Sequence, residues 1–122
     1  MVTVQIFGLK NSAETRAAER FFKERRATIH FVDLKIKPMS PGEIKRFTDR
    51  FGLDAILDRE GKAFVDAGLK YFKLSAAETL RKIERDPKLL RLPLIRNGNL
   101  LSVGQDEAAW KIILLPPVGK GG

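Results

Sequence analysis

The chain has 122 residues, of which 43% are hydrophobic and 31% charged, a composition typical of one globular domain. It contains no cysteine and a single histidine, His30, so thiol catalysis, disulfide bonds and multi-histidine metal sites are excluded. The net charge is +8, yet 15 acidic residues are interleaved with 23 basic ones and no nucleic-acid-binding motif is present, so we do not expect direct nucleic-acid binding. No apolar run approaches the ~20 residues of a membrane-spanning helix, and we expect a cytoplasmic protein.

The N-terminal segment predicts a strand, a glycine turn and a helix. Residues 2–6 alternate between apolar and polar side chains, and Phe7-Gly8 then interrupts the run. From Ala13 onward, apolar residues recur with helical spacing through Phe22. Ser12 directly precedes this helix, so we expect it to cap the N-terminus, where unpaired amides and the helix dipole favour an anion.

The next segment predicts a second strand and a strongly capped helix. The β-branched and aromatic residues of Thr28–Asp33 suit a half-buried strand, in which we expect His30 to be packed or hydrogen-bonded. Ser40, Pro41 and Glu43 form a capping box with proline at the first helical position, and Gly52 ends the helix. A short helix is predicted for residues 53–57.

A further short helix is predicted for residues 63–71, with Phe64, Leu69 and Phe72 as core groups. Ser75 and Glu78 form a second capping box that opens a helix reaching Arg85. Basic residues then accumulate, and we interpret them as a solvated face, with a docking patch for an anionic partner as the alternative. They are Arg81, Lys82, Arg85, Lys88 and Arg91.

The C-terminal part predicts a β-hairpin and a last helix. Residues 93–96 and Leu100–Val103 form the strands, joined by a type I′ turn at Asn97-Gly98. Residues 104–107 open the final helix, which packs inward through Trp110, Ile113 and Leu114. The resulting order predicts an α/β, thioredoxin-like domain with a four-stranded mixed sheet over residues 1–115, followed by a flexible tail, 116–122.

Four segments, in order, resemble the arsenate reductase (ArsC)/Spx family of thioredoxin-fold proteins. They are GLKNS, SPGEIKRF, DPKLLRLPLIRNG and LLSVGQDEAAW, and the resemblance extends from Val2 to Leu114. It implies that Pro93 is the family's cis-proline, facing the N-terminus of the first helix. The family keeps its reactive cysteine at the position of Ser12, and its redox-sensing members keep a second one at the position of Thr15.

The resemblance also implies three oxyanion-holding arginines that this chain lacks at the matching positions. Leu92 stands before the proline, although Arg91 is adjacent, and Asp58 stands in the bend, although Arg59 is adjacent. At the third position, after the hairpin, this chain has residues 103–104, neither of which is an arginine. Since the thiol is missing as well, we do not expect thiol-dependent arsenate reduction.

Three functions remain open at this stage. The first is a non-redox ArsC-like protein with an anion-accepting pocket, for which the candidate residues are Lys10, Asn11, Ser12, Arg16, Arg91 and Pro93. The second, implied by the likeness to Spx, is a regulatory module that binds an acidic protein partner such as RNA polymerase. The third is a glutathione-dependent transferase or reductase in which Ser12 orients the thiolate of glutathione. We expect no resident cofactor and no metal.

Overall fold

The computed structural model describes residues 2–115, so the tail predicted to be flexible, residues 116–122, lies outside the described residues. Four strands and six α-helices follow the predicted order, with 3₁₀ turns at Leu69–Tyr71 and Pro87–Leu89. The elements are β1 Thr3–Gly8, α1 Ala13–Glu24, β2 Thr28–Asp33, α2 Pro41–Phe51, α3 Leu53–Ile56, α4 Lys62–Asp66, α5 Ala76–Arg85, β3 Leu94–Asn97, β4 Leu100–Val103 and α6 Glu107–Ile113.

The four strands form one mixed sheet in the order β2-β1-β3-β4. Strand β1 pairs with β2 in parallel, from Thr3 opposite Thr28 to Gly8 opposite Asp33. It pairs with β3 antiparallel, with Ile6 opposite Ile95. The predicted thioredoxin-like topology is therefore confirmed, because a parallel pair joined by a helix lies beside an antiparallel hairpin.

Helices cover both faces of the sheet. On one face, Val4 and Ile6 of β1 pack with Phe22 of α1 and Trp110 of α6. On the other, Phe7 contacts Phe47 of α2, with ring centroids 6.4 Å apart, and helices α3, α4 and α5 complete the cluster. The alternation along β1 divides its apolar side chains between the two cores.

Strand β1 is longer than the sequence pattern suggests. Phe7 and Gly8 continue the ladder instead of forming a turn, and both are buried. Gly8 is required by a close approach, because a Cβ at this position would lie 2.5 Å from Thr15 Oγ1. From the sequence alone, a glycine that allows a helix to pack closely on a strand cannot be distinguished from a glycine that ends the strand.

The prediction of a single helix over residues 63–71 is wrong. Helix α4 ends at Asp66, and Gly68 takes a left-handed conformation, φ +68°, before the 3₁₀ turn Leu69–Tyr71. Phe64 and Leu69 are buried as expected, but Phe72 is 63% exposed. The break at Gly68 turns the chain, so the helical spacing does not extend to Phe72.

Two smaller expectations are also corrected. Asn97 pairs with Leu100, so the hairpin loop consists of Gly98 and Asn99. Of these two residues, Gly98 alone has a positive φ, +63°, whereas a type I′ turn needs positive φ at both. His30 is exposed on β2, because β2 lies at the edge of the sheet.

Both capping boxes are confirmed. The Glu43 N–H donates to Ser40 Oγ at 3.2 Å and the Ser40 N–H donates to Glu43 Oε1 at 3.0 Å. The matching distances at Ser75 and Glu78 are 3.1 and 2.9 Å.

Within the described chain, no helix is long and apolar enough to cross a bilayer.

Candidate functional site

A cleft of about 540 Å³ lies at the N-terminus of α1; we call it the α1 cleft. The loop before α1 and its first turn form one wall, and the segment after the 3₁₀ turn Pro87–Leu89 forms the other. The lining residues are Leu9, Asn11, Ser12, Ala13, Glu14, Asp58, Lys88, Leu90, Arg91, Leu92, Gly104 and Gln105.

Ser12 caps α1, as predicted. Its Oγ accepts a hydrogen bond from the Thr15 N–H at 3.1 Å, and its own N–H donates to the Leu9 carbonyl at 3.0 Å. Residues Ala13 and Glu14 line the cleft. Their backbone N–H groups have no hydrogen-bond partner within residues 2–115. Two donors at the positive end of the helix dipole are thus available to a ligand.

Arg91 lies on the opposite wall and is positioned by backbone contacts. Its N–H donates to the Ile56 carbonyl at 2.8 Å and its Nη1 donates to the Ala55 carbonyl at 3.4 Å. The guanidinium lies over Gly104, whose added Cβ would be 3.6 Å from Nη2. Gly104 has a φ of +72°, a left-handed conformation that favours glycine.

Pro93 lies behind this wall. The Leu92–Pro93 peptide bond is cis, in agreement with the expectation drawn from the resemblance. The proline ring is fully buried, and its carbonyl accepts the Gly104 N–H at 2.9 Å. Leu92, not Pro93, lines the cleft.

Two of the predicted residues lie elsewhere. Arg16 Nη1 donates to the Lys10 carbonyl at 3.0 Å on the exposed side of the loop, and neither residue lines the α1 cleft. Lys10 lines a neighbouring cleft of about 490 Å³, which shares Leu9, Asn11 and Lys88 with the α1 cleft. The structure therefore brings together Asn11, Ser12 and Arg91.

Three charged residues line the cleft that were not among the candidate site residues: Lys88, Glu14 and Asp58. Of these, Asp58 stands at a position where the resemblance implies an oxyanion-holding arginine. Lys88 belongs to the basic run, which gives the only sequence signal for it. The Asp58 N–H donates to the Leu89 carbonyl at 2.8 Å, so Asp58 is brought to the cleft by a long-range contact. Two cationic side chains and two carboxylates thus line one polar cleft. The described residues contain no group of three metal-ligating side chains.

Comparison with known proteins identifies the family of this chain. The ArsC family model matches residues 7–113, and the chain belongs to the ArsC family. Among individual relatives, "Global transcriptional regulator Spx 2" of Oceanobacillus iheyensis is 28% identical over 109 residues, which are 87% of this chain and 79% of that protein.

Solved structures share the fold. The YffB (PA3664) protein superposes with a TM-score of 0.82 at 19% identity, covering 92% of this chain and 99% of its own. An arsenate reductase from Vibrio cholerae superposes with a TM-score of 0.77 at 16% identity, covering 91% and 98%. At these identities the likeness concerns the thioredoxin-like fold alone.

Proposed function

We propose that this chain is a non-redox binding domain of the ArsC family that accepts a small oxyanion in the α1 cleft. The observation that carries the proposal is that one cleft contains both kinds of anion-binding group. The backbone amides of Ala13 and Glu14 have no partner within the described residues, and Arg91 and Lys88 line the facing wall. Helix dipole, amide donors and cations all favour an anionic ligand.

The hydroxyl of Ser12 supports binding over catalysis. Its oxygen is engaged by the Thr15 N–H at 3.1 Å, and the nearest carboxylate oxygen, Glu14 Oε1, is 3.4 Å away. At 3.4 Å this hydrogen bond is long and weak, so Glu14 activates the hydroxyl little in this structure. His30 is exposed on β2 and does not line the cleft. A serine without a strongly hydrogen-bonded base is a weak nucleophile at neutral pH.

The two carboxylates in the cleft narrow the ligand class. Glu14 and Asp58 are acceptors when ionised and repel an anion that carries no proton. An oxyanion that keeps a proton near neutral pH, such as hydrogen phosphate or hydrogen arsenate, can donate a hydrogen bond from its O–H group to a carboxylate. Sulfate has none to donate. We therefore expect phosphate and arsenate to bind more tightly than sulfate.

Calorimetric titration with phosphate, arsenate, sulfate and glutathione tests this proposal. The variant Arg91→Ala should weaken phosphate binding about tenfold, because it removes a charge-assisted hydrogen bond. The matched control is Arg16→Ala, which removes the same charge from a residue outside the cleft. Equal weakening in both variants, or no phosphate binding at all, contradicts the proposal. Glutathione binding at millimolar concentration would instead support the glutathione-dependent alternative.

Asp58→Asn tests the ligand class separately. The amide can donate to an unprotonated oxyanion, so sulfate affinity should approach phosphate affinity in this variant. An unchanged ratio of the two dissociation constants would show that Asp58 does not contact the ligand.

A second candidate function is favoured by the relative named as a transcriptional regulator, which matches 87% of this chain. We propose, as the alternative, a Spx-like regulatory module that binds a protein partner such as RNA polymerase. Purified RNA polymerase from the source organism, immobilised and titrated with the full chain, tests it. Saturable binding that competes with an Spx protein supports the alternative, and no binding at micromolar concentration contradicts it.

A further inference from the structure

A second cleft, of about 350 Å³, lies between α5 and the residue that follows α4; we call it the α5 cleft. Ala67 and the buried side chain of Leu89 give it an apolar floor. Arg81, Lys82 and Arg85, all exposed on α5, line the same cleft. The cleft thus combines an apolar base with a basic wall.

One exposed aromatic side chain, Phe72, adjoins this cleft. It is 63% exposed. The Phe72 ring lies over Gly68, the residue after Ala67, with its Cε2 3.9 Å from the position of an added Cβ. Large exposed aromatic groups beside a cleft are typical of binding surfaces, because their burial contributes much of the binding free energy.

The basic residues of the wall make no close ion pair within the described chain, although Arg81 and Lys82 act on the Glu78 carboxylate through space. Arg81, Lys82 and Arg85 form no ion pair or hydrogen bond within the described chain. By contrast, Lys45 on α2 is paired with Asp49, and Lys62 on α4 with Asp66, each at 2.7 Å. Three unpaired cations therefore face a cleft whose floor is apolar.

We propose that the α5 cleft docks an acidic protein segment that inserts an apolar side chain against Ala67 and Leu89. The acidic charge complements the three cations, and the Phe72 ring extends the apolar contact. Glu78 and Asp86 also line the cleft. Their carboxylates can accept hydrogen bonds from the backbone N–H groups of a peptide, whereas a phosphate backbone has no donor to offer, so a protein segment fits better than a nucleic acid. The inference rests on the protein-binding alternative and is independent of the α1 cleft.

Selection from a library of short random peptides, displayed against the immobilised full chain, tests the proposal. The enriched peptides should be rich in Asp and Glu around one large apolar residue. A fluorescent synthetic copy of the most enriched peptide should bind the double variant R81A/R85A at least tenfold more weakly than the unchanged chain. The matched control is R20A/K23A, which removes two exposed cations from α1 and should change the affinity less than about twofold.

A separate substitution, Phe72→Ser, tests the apolar contact and should weaken peptide binding several-fold without affecting folding, since the ring is largely exposed. Equal weakening by the R20A/K23A control, or enriched peptides without acidic residues, overturns the proposal. Tighter binding of a single-stranded DNA oligomer than of the peptide, lost in R81A/R85A, assigns the surface to nucleic acid instead. Phosphate titration of the same variants reports on the α1 cleft, so failure of one proposal is distinguishable from failure of the other.

Discussion

Gly8 and Thr15 form the tightest contact between β1 and α1. Thr15 is fully buried, and its Oγ1 accepts the Leu9 N–H at 3.4 Å. A methyl group at Gly8 would lie 2.5 Å from Oγ1 and 2.6 Å from Cγ2 of Thr15. The distance between the last residue of β1 and the first turn of α1 therefore depends on the absence of a side chain.

Substituting Gly8 by alanine should lower the free energy of unfolding by ~1–3 kcal/mol, because either Thr15 or the helix must shift. Gly42→Ala is the matched control, since a Cβ there meets nothing within 4 Å. That control should be neutral or stabilising by ~0.4–1 kcal/mol, because alanine restricts the unfolded chain. Urea denaturation of both variants measures the difference, and equal midpoints would contradict the close-contact interpretation.

Ser12 joins a structural and a binding contribution in one side chain. Ser12→Ala should lower the free energy of unfolding by ~0.5–2 kcal/mol, because the Thr15 N–H loses its acceptor. Ser12→Asp should keep the cap and the stability, yet weaken phosphate binding, because its carboxylate adds negative charge to the α1 cleft. Urea denaturation and phosphate titration of both variants separate the two effects. Unchanged stability in Ser12→Ala would show that the cap contributes nothing.

Sequence patterns located those site residues whose position depends on their immediate neighbours. Ser12 could be placed because a cap is defined within four residues of chain. Arg16 could not, because its long side chain has several directions available and its guanidinium contacts the Lys10 carbonyl. Local patterns could not place Asp58 either, because its N–H is hydrogen-bonded to the Leu89 carbonyl, more than thirty residues later; the resemblance alone marked its position.

The stability of helix α5 depends on the charge of Glu78, the acidic residue of its capping box. The Ser75 backbone N–H, which donates to Glu78 Oε1 at 2.9 Å, is the main cause that lowers the pKa of Glu78 below its ordinary value of 4.5. The Ser75 hydroxyl lowers this pKa further, burial opposes the shift, and the nearby Arg81 and Lys82 add smaller lowering effects. The ionised carboxylate therefore stabilises the folded helix.

A carboxyl whose pKa is lowered by folding stabilises the protein above its unfolded pKa, and that contribution is lost as the pH falls through the folded pKa. Glu78→Gln can keep the capping hydrogen bonds but cannot titrate. The stability difference between the unchanged chain and Glu78→Gln should thus be largest near neutral pH and vanish in acid. Urea midpoints over this range measure it. Glu84→Gln, on the same helix but without a capping bond, is the control and should follow the pH trend of the unchanged chain.

Element boundaries were predictable where local chemistry specifies them. The capping boxes at Ser40 and Ser75 fix the starts of α2 and α5 from four residues each. The hairpin was predicted, but its loop is shifted by one residue, because Asn97 pairs with Leu100 across the ladder. Cross-strand pairing and the turn at Gly68, which leaves Phe72 exposed, both depend on tertiary contacts that a local pattern does not contain.

The chain as a whole is organised around a sheet with a separate core on each face. Trp110, the single tryptophan, is buried on one face at a ring distance of 5.2 Å from Phe21. Phe47 is buried on the other face. One sheet is common to both cores, so the loss of packing on one face should be detected on the other.

Phe47→Ala should lower the free energy of unfolding by ~3–5 kcal/mol, because it leaves a cavity in the larger core. Trp110 fluorescence and far-UV circular dichroism should then report the same lowered midpoint, as expected for one cooperative unit. Ile112→Ala, at a position that is 53% exposed on α6, should change the midpoint little. A Trp110 transition that stays in place while the circular dichroism shifts would show that the two cores unfold independently.

The 3₁₀ turn Pro87–Leu89 is a wall common to both clefts. Lys88 lines the α1 cleft, and the next residue, Leu89, lines the α5 cleft. A ligand that displaces this turn from one side alters the shape of the cleft on the other. By thermodynamic linkage, the factor by which phosphate changes peptide affinity must equal the factor by which the peptide changes phosphate affinity. The size of that common factor, obtained from titrations with and without the other ligand, gives the coupling free energy between the two clefts.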